Sequence, residues 1–228
     1  SFPPAASNSS MPTHKDKMGW SDRDWLEYLR ERPAEERKLP AGMPAAILDK
    51  GHAGMKLDDF ARMPIALRAK LKRSHVLALR LYSSSVHRTI NSHLHDGCTE
   101  ARPHPYPACA ALLVEAIDLL RTAQGDDGSD GTLWHGVAGM AITAEFLIRG
   151  GTSMGLLSAT PDRSVAERYA TKAGDGAAAV LLRLRRPDRT RHGGAAIDWL
   201  SVYPEQRETV YPPATYLRPM GSPTTLVS

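Results

Sequence analysis

Apolar residues recur at three- and four-residue steps along the middle of this chain, then give way to short extended runs. From about Leu57, the residues Phe60, Leu67, Leu71, Val76 and Leu79 keep helical spacing, and Leu81, Tyr82, Val86, Ile90 and Leu94 continue it. Pro64 should break or restart that helix, since it lacks an N–H and crowds the preceding turn. After a proline-rich turn at 102–107, Leu112, Leu113, Ala116, Ile117 and Leu120 mark one face of a helix over 109–124. A Gly- and Asp-rich stretch, 125–131, ends it. The pattern then predicts strands at 132–137, 155–158, 177–184, 196–202 and 209–217, with helical pieces at 140–147 and 164–170. Thr160 and Pro161 should open the second of these helices as N-cap and first residue.

Upstream, Ser21 can cap a helix carrying Trp25, Leu26, Tyr28 and Leu29, which Pro33 stops. The organisation expected is a disordered lead-in over 1–20, a helix and linker over 21–56, and a folded unit over 57–219 with a tail over 220–228. The folded unit divides into a helical part (57–128) and a β-rich part (129–219), an α+β chain with a mainly antiparallel sheet. No internal repeat is present.

Composition narrows the class. At 228 residues, 42% hydrophobic and 24% charged, the chain can bury a core and is not disordered throughout. It has no apolar run of about 18 residues to span a bilayer, and its opening residues show no basic-then-apolar pattern, so no secretory signal is expected in the sequence as given. Cys98 and Cys109 are its two cysteines, too few for a disulfide scaffold, so an intracellular, reducing setting without membrane association is expected, and a monomer. The net charge of +4 hides 21 Arg against 8 Lys. Arg suits bidentate contact with phosphate, but here it is scattered rather than arrayed on one stripe.

Several chemistries are absent. No Gly-Lys-Ser/Thr follows the glycine-rich pieces, so there is no P-loop, and no Gly-x-Ser-x-Gly elbow exists. His93, His95, Cys98, His104 and Cys109 match no zinc spacing, and no metal is expected. Three segments remain: Leu133-Trp134-His135-Gly136; Leu157-Ser158-Ala159-Thr160; and Tyr203-Pro204-Glu205-Gln206-Arg207-Glu208, running into Thr209-Val210-Tyr211-Pro212-Pro213.

In this order the segments resemble the ADP-ribosyltransferase superfamily. Its members carry an Arg/His-Gly strand, a Ser-Thr-Ser-like strand, and a Glu/Gln-x-Glu turn leading into a strand that ends in Pro-Pro. The stretch from Leu81-Tyr82 to Ile90-Asn91 and Leu94 resembles the helical region ahead of the catalytic core in mono-ADP-ribosyltransferases. The resemblance covers roughly residues 57–219 and implies a split β-sandwich that takes NAD as its substrate. It implies that Glu208 stabilises the oxocarbenium-like transition state of nicotinamide–ribose cleavage. Ser158 would hold Glu208 and orient the nicotinamide pocket. His135 would contact the adenosine ribose or a neighbouring phosphate. Gly136 would offer backbone groups to the nicotinamide amide, and Thr160 would complete the NAD-binding set.

Two departures bear on the acceptor. Arginine-specific members have Glu at both turn positions, whereas this chain has Gln206 at the first. A neutral amide neither pairs with a guanidinium nor deprotonates it. Gln at that position resembles members that modify an amide side chain or a guanine base. His135 with Ser158 and Glu208 also mixes two branches, since His on that strand resembles the poly(ADP-ribose) polymerase branch and Ser158 the other. The resemblance therefore implies transfer to a protein or nucleic-acid acceptor other than arginine. NAD hydrolysis, or a non-catalytic NAD or ADP-ribose-binding module, stands as the alternative.

Overall fold

The computed structural model describes residue 52 and residues 55–84, 86–99, 102–125, 131–171, 178–185 and 193–221. The predicted lead-in and the helix around Trp25 lie outside them. Five helices come first: α1 (Leu57–Ala61), α2 (Pro64–Arg68), α3 (Arg73–Tyr82), α4 (His87–Asp96) and α5 (Pro107–Gln124). Pro64 restarts the chain as the first residue of α2, and Pro107 does the same for α5, where a missing N–H costs nothing.

The helix expected to run on past Leu79 is interrupted instead. Ser83 Oγ donates to Arg80 O at 2.9 Å and Ser84 Oγ to Leu81 O at 2.6 Å. These hydroxyls take carbonyls that helical N–H groups would need, and α4 starts afresh at His87. Leu67, expected on the buried stripe, is 62% exposed. The hand-over between the two helices pulls a distant segment in. Arg80 Nη1 donates to Leu200 O at 2.6 Å, and Val202 N donates to Ser83 Oγ at 3.2 Å.

The β-rich part holds β1 (Leu133–Ala138), α6 (Ala144–Arg149), β2 (Gly151–Ser153), β3 (Leu157–Ala159), α7 (Arg163–Ala170), β4 (Ala179–Leu184), β5 (Ala195–Ala196), β6 (Thr209–Tyr211) and β7 (Thr215–Leu217). They form three small antiparallel sheets, β1–β4, β2–β7 and β3–β6–β5. A single bridge, Trp134 with Thr160, joins the first sheet to the third.

Several boundaries differ from the sequence reading. The strand expected at 196–202 is only Ala195–Ala196. Beyond it, Leu200 N and Ser201 N both donate to Ile197 O, closing a turn that buries Ile197 and Leu200 together. The strand expected at 209–217 is two, because Pro212 and Pro213 interrupt it and Ala214 turns left-handed at φ 61°. The helix expected at 140–147 begins at Ala144, where Thr143 Oγ1 accepts from Phe146 N at 3.1 Å. α7 is capped not by Thr160 but by Asp162, whose Oδ1 accepts from Ser164 N at 2.9 Å.

One cluster of buried residues unites the two parts: Val76, Leu79, Tyr82, Ile90, Leu113, Ile117 and Leu120 pack with Ala195, Ile197, Leu200 and Val210. Burial of each such Leu or Ile contributes about 2 kcal/mol relative to exposure. Gln124 fastens the end of α5 to β5 through both backbone groups of Ala196, at 2.7 and 3.0 Å. The helices thus form one wall of the core on whose other side β5 and β6 lie.

Candidate active site

β3 and β6 are neighbours, and their register opposes Ser158 to Val210 and Ala159 to Thr209. Just ahead of β6 the chain makes a short 3-10 turn, Pro204–Gln206, closed by Gln206 N donating to Tyr203 O at 3.0 Å. Arg207 then adopts φ 47°, a left-handed conformation that costs a side-chain-bearing residue about 1 kcal/mol. Through this kink Gln206 and Glu208 both arrive beside the end of β3.

The carboxylate of Glu208 accepts from Ser158 Oγ at 2.5 Å. Its backbone carbonyl accepts from Ile197 N at 2.9 Å, so both the side chain and the main chain are held. Burial pushes its pKa up to about 7, and the hydrogen bond from Ser158 opposes that rise. Such a carboxyl titrates across neutrality, and its ionised form is kept by one short bond.

His135 sits on β1, across the gap from β3. Its Nδ1 lies 2.6 Å from Ser158 O. A carbonyl only accepts, so Nδ1 carries the proton and Nε2 of the neutral ring carries a lone pair. Burial is the largest influence on His135 and lowers its pKa; nearby His95 lowers it further, against the bond to Ser158 O. The ring is therefore neutral at pH 7.

The strands part at this point. Trp134 N and O both bond to Thr160, at 2.7 and 2.9 Å. Two residues on, Gly136 turns its own N–H and C=O toward the same side. No backbone bond joins Gly136 to Ser158 among the described residues; the His135 ring bonds Ser158 O instead. The result is a split between β1 and β3 with a peptide N–H and C=O at its edge. The missing side chain at Gly136 also serves the packing of the fold. A Cβ there would stand 1.8 Å from Ala166 O, so it is the backbone of α7, packed on β1, that needs the glycine.

Gln206 is clamped at three points. Besides the Tyr203 bond, its backbone carbonyl accepts from Thr160 Oγ1 at 2.7 Å, and its Oε1 accepts from Tyr169 OH at 3.0 Å. The hydroxyl of Thr160, which is 6% exposed, is thus occupied in fixing the turn. Burial raises the pKa of Tyr169 and pushes that of Tyr203 up to about 12; Arg88 of α4 lies near both and opposes the rise. The structure therefore brings His135, Gly136, Ser158, Thr160, Gln206 and Glu208 together. Tyr82, Asn91 and Tyr169 join them, and sequence reading placed none of the three there. The available signal was a phenol in a core stripe, since a buried Tyr hydroxyl needs a partner.

Among the described residues no group of His, Cys, Asp and Glu could hold a metal ion. His104, one of the residues weighed for zinc, accepts from Tyr106 N at Nδ1, and its Nε2 is bonded to Ile90 O. No described helix is long and apolar enough to cross a membrane.

The sequence profile of the NAD:arginine ADP-ribosyltransferases matches residues 52–224, most of the chain. This chain belongs to that family. It is an NAD-dependent ADP-ribosyltransferase, and NAD is its substrate. Among solved structures, the ADP-ribosyltransferase HopU1 of Pseudomonas syringae pv. tomato DC3000 is similar at 16% identity and a TM-score of 0.50, over 90% of this chain and 83% of that one. The Vis toxin, an ADP-ribosyltransferase from Vibrio splendidus, is similar at 17% identity and a TM-score of 0.51, over 71% of this chain and 73% of that one. At such identities the likeness is one of fold, and it agrees with the α+β arrangement of small antiparallel sheets. No curated protein matches the sequence significantly. Within the ADP-ribosyltransferase, the Ser158–Glu208 contact lies where β3 and β6 meet the split from β1.

Proposed function

We propose that this ADP-ribosyltransferase is a mono-ADP-ribosyltransferase acting on an acceptor other than arginine, with Glu208 as its central catalytic residue. Residues 57–219 make up the catalytic unit, the helical part (57–128) supporting the β-rich part (129–219). The 2.5 Å bond from Ser158 to Glu208 at the strand split carries this reading. In the reaction, the bond between ribose C1′ and the nicotinamide nitrogen breaks, and its electron pair leaves with neutral nicotinamide. Positive charge builds on the ribose, and an ionised carboxylate bonded to a ribose hydroxyl stabilises it most where water is excluded. The acceptor's lone pair then closes on C1′ and its proton passes to solvent.

The remaining residues take roles that fit their bonding. Gly136 offers its N–H and C=O to the nicotinamide amide, a donor–acceptor pair for an acceptor–donor group. His135, neutral with its Nε2 lone pair outward, suits a ribose hydroxyl better than a phosphate. Thr160 keeps the turn in place beside the NAD site. Gln206, its Oε1 accepting from Tyr169, presents its amide nitrogen to the acceptor. An N–H donor recognises a carbonyl, as in an amide side chain or guanine, and repels the N–H fork of a guanidinium.

Labelled NAD, supplied with protein lysate, with nucleic acid, or with neither, separates the outcomes. Label fixed to one macromolecule class, with little on free arginine, is expected. Gln206→Glu should change acceptor choice more than nicotinamide release. Free ADP-ribose in every arm makes the enzyme an NAD glycohydrolase. Efficient labelling of arginine by the parent refutes the acceptor assignment.

A further inference from the structure

The helical part reaches into the site through a chain of hydrogen bonds that the proposed reaction does not by itself require. Tyr82, the last residue of α3, is 2% exposed, and its hydroxyl lies 3.1 Å from Ser158 Oγ. Asn91 of α4 donates from Nδ2 to Tyr82 OH at 3.4 Å and to Leu156 O at 3.0 Å, while its Oδ1 accepts from Leu156 N at 3.0 Å. Asn91 thus grips the residue two before Ser158 through both backbone groups, as a strand neighbour would.

The direction of the chain follows from proton counting. Ionised Glu208 can only accept, so Ser158 donates to it. The Ser158 oxygen is then an acceptor. The phenol has one proton, and its alternatives are Ser158 Oγ at 3.1 Å or Leu156 O at 3.5 Å, the latter already bonded to Asn91. The shorter contact takes it, and Asn91 donates to the phenol oxygen in turn. All donors point one way: Asn91 to Tyr82, Tyr82 to Ser158, Ser158 to Glu208. Aligned bonds of this kind polarise one another, so each strengthens the next.

We propose that Tyr82, braced by Asn91, is a positioning residue that acts through Ser158 to hold Glu208 ionised and fixed for nicotinamide–ribose cleavage. The inference rests on the reading of Glu208 given above. The charged and titratable groups near Glu208 among the described residues come from several elements. Tyr82 faces it from α3 and Tyr169 from α7, both within reach of its charge. His135 lies beyond Ser158 on β1 with His95 of α4 near it, and Arg88 of α4 and Arg168 of α7 stand near Tyr169.

The test is nicotinamide release from NAD across pH by the full chain and by Tyr82→Phe, Ser158→Ala, Glu208→Gln and the Tyr82→Phe/Ser158→Ala double variant. Tyr82→Phe should lower kcat about 3- to 10-fold, the worth of one hydrogen bond, with little change in KM for NAD. Its acid limb should move to higher pH, because a weaker Ser158 donor holds the carboxylate less well. In the Ser158→Ala background the same change should cost nothing more. Equal losses in both backgrounds, or a parental kcat and limb in Tyr82→Phe, overturn the inference while leaving Glu208 in place. Parental release by Glu208→Gln overturns the site reading itself. Should Tyr82→Phe fail to melt as the parent does, 3-fluorotyrosine at position 82 keeps the ring and sharpens the donor. The limb should then move to lower pH, and an unmoved limb overturns the inference.

Discussion

Glu208 sets two properties against each other. Its folded-state pKa is raised by burial to about 7, above the ordinary carboxylate range. The folded protein therefore binds this proton more tightly than the unfolded chain does. The stability it gives is fully present in acid and is lost as pH rises through about 7. At pH 8 the buried charge is a net cost, so Glu208→Gln should raise stability there by roughly 2 kcal/mol. The gain should vanish below about pH 4, where the parent carboxyl is protonated in both states. Thermal melts of both proteins at the two pH values check this. A variant less stable than the parent at pH 8 would mean that Glu208 is not desolvated as described. At this scale much was legible, because His135, Ser158, Gln206 and Glu208 lie in short segments whose residue types limit the chemistry. Tyr82 and Asn91 were not legible, since a Tyr and an Asn in helical periodicity read as wall and surface. Only the meeting of α3, α4 and β3, far apart in sequence, gives them partners.

At the scale of elements, helical spacing fared better than alternation. α5 was placed within two residues of its start by its apolar stripe, and Pro107 explains the difference. The short strands were harder to bound, since three-residue strands such as β2, β3 and β6 carry almost no period. Ile197 and Leu200 resemble strand residues but are buried by a turn. The packing of α7 on β1 was invisible in sequence and depends on Gly136, where a Cβ would overlap backbone rather than a movable side chain. Gly136→Ala should thus cost about 1–3 kcal/mol by overpacking. It should also reduce turnover, because α7 carries Tyr169 to Gln206. Denaturant unfolding read beside nicotinamide release tests both, and an unchanged midpoint would contradict the packing.

At the scale of the whole molecule, one cluster of buried side chains among the described residues ties the helical part to β5, β6 and the segment ahead of the Gln206–Glu208 turn. Arg80, two residues before Tyr82, and Ser83, one residue after it, hold that same segment beside the contact from Tyr82 to Ser158. The helices therefore serve the chemistry as well as the core, and loosening them should disturb catalysis before it unfolds the chain. The surplus of Arg over Lys stays spread over the sequence; among the described residues Arg88 stands near both aromatic side chains that flank Gln206, and Arg168 near one of them, Tyr169. The most direct measurement is release of free nicotinamide from NAD by the parent and by Glu208→Gln at equal folded concentration. Release by the parent that rises through about pH 7, with loss of most of it in the variant, is the expected result. Equal release by both proteins, or none from a folded parent, would contradict the assignment of Glu208 as the group that stabilises the breaking nicotinamide–ribose bond.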